Sequence, residues 1–432
     1  MGCDAMNGGM LNAGMGIEEI SAFLIALIIL VLGSVFSYKY HRLGLITAVI
    51  AVFIGFLASS FISNCFVYAV FILAIALLNL FSLEALPNEI KGVDFGLVGL
   101  IALATFIVFS TANLATVLTA LVIISVPTYI LVMLREGAVD VEIGVKYIVF
   151  MVFATVLFLT GAIILASGAE GVILLVGYVM LVLGLCLEVG VAPFHEWVPD
   201  VFTVADPVPV SVIASIAKIV PFVVALRIIA SFGEIPMTAV ALTAVLAALS
   251  MFLGNIGALT AREHARVLAY STVANMGYVL ACIAAVSHPL SAEHAEFVYA
   301  ALIGGLLLLF GNAAGKIGFF NAIKGEGAFA PLLYILAFSF IGVPPLLGFW
   351  GKLFILLSLV ETKFYWLAGI LVLNSAISIP YYVRIARELG VDWRSNIANF
   401  IAIAVVIIAL ITVIPPEWFV QGVKTLPITL GI

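Results

Sequence analysis

The sequence has very little charge. Only 9% of its 432 residues are Asp, Glu, Lys or Arg, whereas 65% are hydrophobic, and the mean hydropathy is +1.34. A water-soluble protein of this length needs far more charged residues to cover its surface. The chain also has no cluster of basic residues, which excludes nucleic acid as a partner. The composition therefore indicates a protein that is surrounded by lipid.

Cysteine is scarce and scattered. The four cysteines, Cys3, Cys65, Cys186 and Cys282, form no C-x-x-C pair, so the sequence predicts neither a disulfide framework nor a metal site. It also has no Gly-rich phosphate loop and no nucleophile–base arrangement. We therefore expect no metal, no cofactor and no catalytic residue in this chain. The N-terminal segment lacks a basic region, so no cleaved signal peptide is predicted.

Long apolar runs fill most of the chain. Runs of about 18 residues or more, enough for a helix to cross roughly 30 Å of hydrocarbon, recur from Ile20 to Ile414. Barrel strands would instead alternate between apolar and polar residues. The predicted fold class is an all-α polytopic protein of the cytoplasmic membrane, with about fourteen transmembrane helices. The spans are predicted near residues 18–37, 43–62, 65–83, 94–110, 113–134, 144–167, 171–193, 207–230, 236–260, 266–287, 296–322, 331–359, 365–388 and 397–414.

The basic residues between the spans are distributed unevenly. If the N-terminus lies outside, ten of them fall in inside loops and three fall outside. The inside residues are Lys39, Arg42, Lys91, Arg135, Arg262, Arg266, Lys324, Arg384, Arg387 and Arg394, and the outside residues are Arg227, Lys363 and Lys424. This is the asymmetry of the positive-inside rule, so both termini are predicted outside.

Two spans contain residues that break helices. The seventh contains Pro193 and Pro199, and the twelfth contains the segment GVPPLLGFWGK, residues 342–352. The two discontinuous helices, 7 and 12, are five spans apart, which is the spacing expected of two inverted five-helix repeats with a transport pathway between them. The predicted domains are three N-terminal helices (1–90), a first inverted repeat of helices 4–8 (91–234), a second of helices 9–13 (235–390), and a C-terminal helix and tail (391–432).

Four ionisable residues fall inside apolar spans, away from the span ends: Glu188, Lys218, Lys316 and Lys352. Each charge buried at this depth costs a few kcal/mol, so such residues usually mark ion or proton pathways. Burial disfavours the charged form, so carboxylates and amines can exchange protons near neutral pH. The alternatives are structural: a Glu–Lys pair can join two helices, and a lysine near a helix break can extend to the membrane edge.

Polar companions lie in the same half of the chain. The tenth, eleventh and thirteenth spans contain Asn275, Tyr278, Asn312, Asn321, Asn374 and Ser378. They are predicted to support the charged row, although each such residue more often forms hydrogen bonds between helices than takes part in a relay. His195 follows the Pro193 break and can titrate near neutral pH, so it is included as a candidate.

Four segments resemble motifs of a known family. The segments VAPFHEWVPDVF (191–202) and DPVPVSVIASIAKIV (206–220) resemble the signature of antiporter-like subunits, which occur in respiratory complex I, membrane-bound hydrogenases and Mrp-type cation/proton antiporters. The segments ARVLAYSTVANMGYVL (265–280) and IGVPPLLGFWGK (341–352) resemble the tenth and twelfth spans of that family. Among its subtypes the chain looks most like the N-type subunit of NADH-quinone oxidoreductase.

The resemblance implies a function for the buried charges. It implies fourteen helices, inverted repeats and a proton path through central lysines, in which Lys218, Lys316 and Lys352 match the lysines of the eighth, eleventh and twelfth spans. Two positions depart from the family pattern: Val122 stands where the family has a glutamate, and Glu188 stands where it has a lysine. Asn275 also stands where the family often has histidine.

These observations leave three hypotheses open. The first is a proton-translocating subunit of a redox-driven complex, itself without a redox centre, that moves H⁺ through Glu188, Lys218, Lys316 and Lys352. The second is a subunit of a multisubunit Na⁺/H⁺ antiporter, with Na⁺ as the alternative ion. The third is a scaffold whose channel is partly lost, which the residues at 122 and 188 favour. The expected partners are other membrane subunits of the complex and the lipid bilayer.

Overall fold

The structure is a computed structural model that describes residues 15–62, 65–84, 92–135, 138–231, 235–290, 295–393, 396–413 and 417–423. Cys3 and the loop residues Lys91, Arg394 and Lys424 lie outside the described residues. The fold is almost entirely helical, as predicted. The helices are α1 (Ile17–Ser37), α2 (His41–Leu57), α3 (Phe66–Leu83), α4 (Val93–Ser110), α5 (Leu114–Met133), α6 (Val141–Ala166), α7 (Gly171–Val189), α8 (Trp197–Val204), α9 (Pro207–Ala214), α10 (Ile216–Ser231), α11 (Met237–Thr260), α12 (His264–Val286), α13 (Ala295–Lys324), α14 (Ala330–Ile341), α15 (Leu347–Glu361), α16 (Tyr365–Ile377), α17 (Ile379–Glu388), α18 (Ile397–Leu410) and α19 (Glu417–Val423).

Short irregular elements complete the chain. A π-helical turn (Ala58–Ile62) follows α2 and a 3₁₀ turn (Ile411–Val413) follows α18. Strands β1 (Leu134–Arg135) and β2 (Ala138–Val139) pair antiparallel, and β3 (Ala328–Phe329) pairs in parallel with β4 (Gly390–Val391). The composition did not predict these two-residue strands, which join loops outside the long apolar helices.

Side-chain caps begin several of the helices. Asn113 and Asp140 accept hydrogen bonds from amides in the first turns of α5 and α6, at 3.0 and 3.2 Å. Asp206 does the same for α9 at 3.0 Å, and Asn396 does so for α18 at 2.9 Å. These polar residues satisfy backbone donors that the helix itself leaves free. They therefore fix where the apolar runs start.

The number of long helices is close to the predicted number of spans. Among the residues that the structure describes, 12 helices are long and apolar enough to cross a membrane. The two other predicted spans correspond to the divided pair α14 and α15 and to the shorter apolar helix Ile397–Val413. The breaks predicted in the seventh and twelfth spans are present, between α7 and α8 and between α14 and α15. Fourteen spans and two inverted repeats stay predictions.

Two further spans are divided, which the sequence analysis did not predict. The eighth is interrupted at Ser215, between α9 and α10, and the thirteenth at Ser378, between α16 and α17. Ser215 has φ −110° and ψ −97°, well outside the helical region. The Ser215 break lies three residues before Lys218, so it affects the direction in which the Lys218 side chain leaves the helix.

One face of the molecule gathers the loops that were predicted to lie inside. Lys324, at the end of α13, forms an ion pair of 2.8 Å with Asp206, which precedes α9. Strands β3 and β4 join the loop after α13 to the loop after α17. His264, at the start of α12, contacts Glu388, at the end of α17, at 3.1 Å. The loops before α9, before α12, after α13 and after α17 therefore meet on one side of the bundle. The distribution of basic residues predicted that these four loops lie on the same side.

Arg227 is not a loop residue, contrary to its assignment among the outside charges. It lies in α10 and is 2% exposed. Its guanidinium donates to the carbonyl oxygens of Val108 and Thr111, at 2.6 and 2.7 Å. Those carbonyls belong to the end of α4, where the helix leaves acceptors free. Arg227 thus caps α4 on the face opposite the Lys324–Asp206 pair.

The interior of the bundle consists of a few helices. In the span that contains α9 and α10, and in α12, 94% of the apolar window is buried, and in α13 the share is 83%. In α1 and α6 the shares are only 28% and 33%, so these helices present most of their surface outwards. The lysines at 218 and 316 therefore lie on central helices, surrounded by protein.

Candidate functional site

Glu188 lies at the first helix break, close to the end of α7. The helix ends because Gly190 takes a left-handed conformation with φ +79°, where a Cβ atom would approach Val198 Cγ2 to 2.2 Å. The Glu188 side chain is 8% exposed. Its Oε1 accepts a long hydrogen bond of 3.4 Å from Ser125 Oγ of α5, and its Oε2 has no partner among the described residues. The carboxyl group thus has unused hydrogen-bonding capacity.

Lys218 contacts the same break from α10. Its Nζ donates to the backbone oxygen of Glu188 at 2.9 Å and lies 4.4 Å from the ring centroid of Trp197. Although both side chains are described, no ion pair joins the Glu188 carboxylate to the Lys218 ammonium. The suggested side-chain pair is therefore not formed. The ammonium instead donates to a carbonyl oxygen at the end of α7, where carbonyl groups have no donor within the helix.

A small cavity separates the two groups. It has a volume of about 10 Å³ and is lined by Glu188 and Lys218 together with Ser125, Thr128 and Tyr147, among others. This is close to the smallest space that holds one water molecule. The Tyr147 hydroxyl donates to Thr128 Oγ1 at 3.3 Å, which adds polar groups to the wall. A single water molecule in this cavity would lie between the carboxyl group and the amino group.

Lys352 occupies the second break in a comparable way. Its Nζ donates to the backbone oxygens of Phe340 and Ile341, at 2.9 and 3.0 Å, and lies 4.7 Å from the ring centroid of Tyr278. These carbonyls end α14, whose last turn closes at Gly342 with φ +93°. The side chain is 6% exposed and does not extend to the membrane edge. Each break therefore has free carbonyls held by a buried lysine above an aromatic ring.

Lys316 lies within α13 and is fully buried. Its Nζ donates to the backbone oxygen of Leu268 at 2.5 Å and to Ser271 Oγ, both on α12. It also lies 5.4 Å from the ring centroid of Phe340, which belongs to the second break. Lys316 is thus placed between the central helices and the Lys352 site, with neutral oxygens as its acceptors.

The predicted polar companions form a network around Lys316 and Lys352. Asn255 Nδ2 donates to Asn374 Oδ1 at 2.9 Å, and its Oδ1 accepts from the Tyr381 hydroxyl at 2.9 Å. Asn275 Nδ2 donates to the Tyr382 hydroxyl at 3.0 Å. The sequence analysis did not select Asn255, Tyr381 or Tyr382. Asn255 could have been selected in the same way as Asn275, because each is an asparagine inside an apolar helix, α11 and α12 respectively.

Tyr278 and His195 have different places. The Tyr278 ring lies beneath Lys352, and its hydroxyl has no hydrogen-bond partner among the described residues. His195 lies in the segment between α7 and α8, with Nδ1 3.3 Å from the Pro193 carbonyl oxygen and its ring 6.2 Å from that of Tyr270. Partial burial lowers the pKa of His195. Neither of these two contacts involves one of the four buried charges, and a role for His195 in the path stays a prediction.

Val122 faces away from the interior. It is 38% exposed on α5, whereas Ser125, one turn further along, is buried against Glu188. A glutamate at position 122 would therefore lie at the edge of this chain. The missing family carboxylate leaves an apolar outer position, and Glu188 takes its hydrogen bond from Ser125 instead.

Asn312 brings α13 close to the eighth span. It lies one turn before Lys316, and its Nδ2 is 3.5 Å from the Ala214 carbonyl oxygen at the end of α9. Its Oδ1 is buried without a partner among the described residues. At the same break, Asn79 of α3 contacts Ser211 and Ser215. The sequence analysis did not identify Asn79 or the serines.

The fold and the buried row together define a class: a polytopic membrane protein with three buried lysines on its inner helices, two of them at helix breaks. The family described as NADH:quinone oxidoreductase/Mrp antiporter, TM, matches residues 111–378. This is more than half of the chain, and the chain belongs to that family. The resemblance inferred from the four segments is therefore confirmed.

Curated relatives make the likeness more specific. NADH-quinone oxidoreductase subunit N 2 of Aquifex aeolicus is 30% identical, in a match that covers 66% of this chain and 63% of that protein. Subunit N of Thiobacillus denitrificans is 31% identical, with 71% and 70% covered, and subunit N of Azoarcus sp. is 28% identical, with 86% and 82% covered. The predicted likeness to the N-type subunit is confirmed. The chain spans just under two thirds of the length of the Aquifex relative.

Solved structures share the fold over nearly the whole chain. A chain of respiratory complex I from Thermus thermophilus has a TM-score of 0.73 at 21% identity, covering 96% of this chain and 100% of that one. A chain of the Mrp complex from Dietzia sp. has a TM-score of 0.79 at 15% identity, covering 95% and 97%. The predicted multi-pass membrane fold is confirmed by these likenesses.

Proposed function

We propose that the chain is an antiporter-like subunit that translocates protons within a redox-driven complex of the cytoplasmic membrane. It would hold no redox centre, and redox chemistry in partner subunits would drive the charge changes along its row. One observation carries the proposal: Lys218, Lys316 and Lys352 are all buried, and each ammonium contacts neutral oxygens, with no ion-paired carboxylate in the part of the chain that the structure describes. Such a lysine can lose its proton without breaking an ion pair and leaving a partner carboxylate unpaired.

The geometry supports an order for the path. Glu188 and Lys218 share the first break and its small cavity. Lys316 follows on α13, and Lys352 lies at the second break, where it binds the backbone oxygen of Phe340, the residue whose ring Lys316 contacts. Asn275, Tyr278, Asn312 and Asn374 would support the second half of this path. His195 would act at its edge.

The proposed repeats have support in the positions of the breaks. The seventh and twelfth spans are divided beside Glu188 and Lys352, and the eighth and thirteenth are divided at Ser215 and Ser378. Each pair is separated by five spans, as two inverted units require. Transport would then occur between the two units.

Other membrane subunits are the expected partners. The similar chains from complex I, the Mrp complex and an archaeal sulfane sulfur reductase each come from multisubunit membrane complexes. Exposed apolar residues on the outer helices provide surface for such neighbours and for lipid. Protons are the proposed cargo because the row consists of groups that exchange protons.

A Na⁺/H⁺ antiporter subunit is the second candidate. The fold likeness to the Mrp chain is as close as that to the complex I chains, which favours keeping it. The two functions differ in what drives transport. Purification through a tag on this chain, followed by reconstitution into vesicles, separates them.

The redox proposal predicts that subunits with electron-transfer centres co-purify with the chain. It also predicts that electron transfer acidifies one side of the vesicles without Na⁺. Co-purification with antiporter subunits alone, and H⁺ movement that requires a Na⁺ gradient, would establish the second candidate instead. A complex that still moves protons normally per electron transferred when every buried lysine is replaced would show the scaffold function that the departures at 122 and 188 suggested.

A further inference from the structure

Helix α3 lies outside the region that the family match covers, which begins at residue 111. It is nevertheless well buried and contains two polar residues one turn apart, Asn79 and Ser82, both with no exposed surface. Buried amides and hydroxyls in an apolar helix are unfavourable unless they bind partners. Their partners indicate what α3 contributes.

Asn79 binds the eighth span at its break. Its Nδ2 donates to Ser215 Oγ at 3.0 Å, and its Oδ1 accepts from Ser211 Oγ at 3.3 Å. A single carboxamide thus joins two serines that lie one turn apart, one of them at the non-helical residue. Its second donor contact, to the Ile75 carbonyl oxygen at 2.9 Å, anchors it to its own helix. The Asn79 side chain is therefore held by hydrogen bonds to its own helix and to the eighth span.

The break changes the backbone bonding before Lys218. The Lys218 amide donates to Ser215 O at 3.2 Å, an i→i−3 bond in place of regular helical geometry. Asn312 Nδ2 of α13 also approaches this break, at 3.5 Å from the Ala214 carbonyl oxygen. The break is thus held by α3 and also contacted by α13.

Asn312 leaves one polar atom unused at this place. Its side chain is 2% exposed, and Oδ1 has no partner among the described residues. A buried oxygen of this kind is normally satisfied by water. Asn312 and Lys316 lie on one face of α13, four residues apart, and Ser215 lies three residues before Lys218. A water molecule bound at Asn312 Oδ1 would lie between the surroundings of the two lysines.

We propose that Asn79 is a positioning residue for proton transfer between Lys218 and Lys316, because it holds the Ser215 break in the shape that faces Asn312. The N-terminal helices would then be part of the translocation machinery. This inference rests on the proposed function. Without Asn79, the hydroxyls of Ser211 and Ser215 would bond only to their own helix, to Val208 O and Val212 O, which they already contact. The break would lose its external support.

The test compares variants in the intact complex, reconstituted in vesicles. Asn79→Leu removes the carboxamide at similar volume, and we expect proton translocation to slow by about tenfold or more, since small misplacements of transfer groups have effects of this size. Ser215→Ala removes only the hydroxyl to which Asn79 donates and should give a smaller loss of the same kind. It also preserves the test if Asn79→Leu does not assemble.

Ser82→Ala is the matched control. Ser82 accepts a hydrogen bond from Asn321 of α13 at 2.9 Å, so this variant removes the other polar contact of α3 without touching the break. Its translocation should equal that of the wild type. A double variant, Asn79→Leu with Asn312→Leu, adds a readout that a purely structural role would not move: the loss should be no greater than that of the worse single variant, because both act on one step.

Lys316→Met distinguishes this inference from the proposed function. If Lys316→Met is impaired while assembled Asn79→Leu and Ser215→Ala translocate at the wild-type rate, the role of Asn79 is overturned and the proposed function stands. If Lys316→Met is also unimpaired, both fail. Equal losses for Ser82→Ala and Asn79→Leu, or additive losses in the double variant, would reduce Asn79 to a general packing role and overturn the proposal.

Discussion

Replacement of Lys352 by methionine separates a functional lysine from a structural one. Methionine keeps much of the length and apolar volume of the side chain but removes the ammonium. In the structure that ammonium binds two carbonyl oxygens at the end of α14 and lies over the Tyr278 ring. We expect Lys352→Met to assemble and to lose proton translocation.

The magnitude follows from opposing terms. Two hydrogen bonds from a charged donor contribute about 1.5–3 kcal/mol each, and a desolvated cation–π contact contributes up to about 2 kcal/mol. Against this, a charged lysine deep in a membrane helix costs about 2.5–3.5 kcal/mol on insertion scales, and methionine removes that cost. The net destabilisation is therefore between about zero and 5 kcal/mol, which lies within a total stability of about 5–15 kcal/mol.

The assay measures both quantities in one preparation. The complex is purified with Lys352→Met or with Lys39→Met, an exposed lysine at the end of α1, as the control. Thermal unfolding reports stability, and acidification of vesicles per electron transferred reports translocation. Unchanged translocation in Lys352→Met would refute the reasoning. So would failure to assemble, because Lys352 would then be primarily a structural cap for α14.

Three further predictions concern other parts of the chain. Gly184→Ala would place a Cβ atom 2.4 Å from the Phe158 backbone nitrogen, so it should destabilise the α6–α7 contact by about 1–3 kcal/mol in thermal unfolding. Gly369→Ala, which has open space around it, should cause no such loss. Equal melting temperatures for the two variants would contradict this prediction. Burial lowers the pKa of His195, so folding favours its neutral form, and the stability it contributes is present above about pH 6.5 and is lost as the pH falls. His195→Gln should therefore flatten the decline in melting temperature between about pH 7 and pH 5, and an unchanged decline would show that other groups cause it. Arg227→Met should lower stability by about 3 kcal/mol through loss of its two bonds to the end of α4, with protons moved per electron unchanged; a loss of coupling would place Arg227 in the path.

The sequence was sufficient for the large-scale architecture because that architecture depends on local properties. Apolar length predicted the helices, and proline and glycine predicted the breaks beside Glu188 and Lys352. The burial of all four selected charges also followed from their positions within apolar spans. Each of these inferences uses residues that are close together in the chain.

Contacts between distant helices were harder to predict. The side chains of Glu188 and Lys218 form no ion pair, because Lys218 donates to the backbone carbonyl oxygen of residue 188. Every residue has such an acceptor, so the sequence gives no signal for this contact. The break at Ser215 has no proline at the residue itself, and its support comes from Asn79, 136 residues away in the chain. Asn255 joins Asn374 across 119 residues for the same reason. Polar residues in apolar spans signal that partners exist, but only the fold identifies them.

The proton path makes one central claim, that the buried lysines move protons when electrons flow. The most direct measurement is vesicle acidification per electron transferred, with Lys316→Met compared with wild type and with Lys39→Met. Lys316 is fully buried, and its acceptors are neutral oxygens on α12, so its loss should remove proton movement while electron transfer and assembly persist. An unchanged ratio of protons to electrons in an intact Lys316→Met complex would contradict the claim.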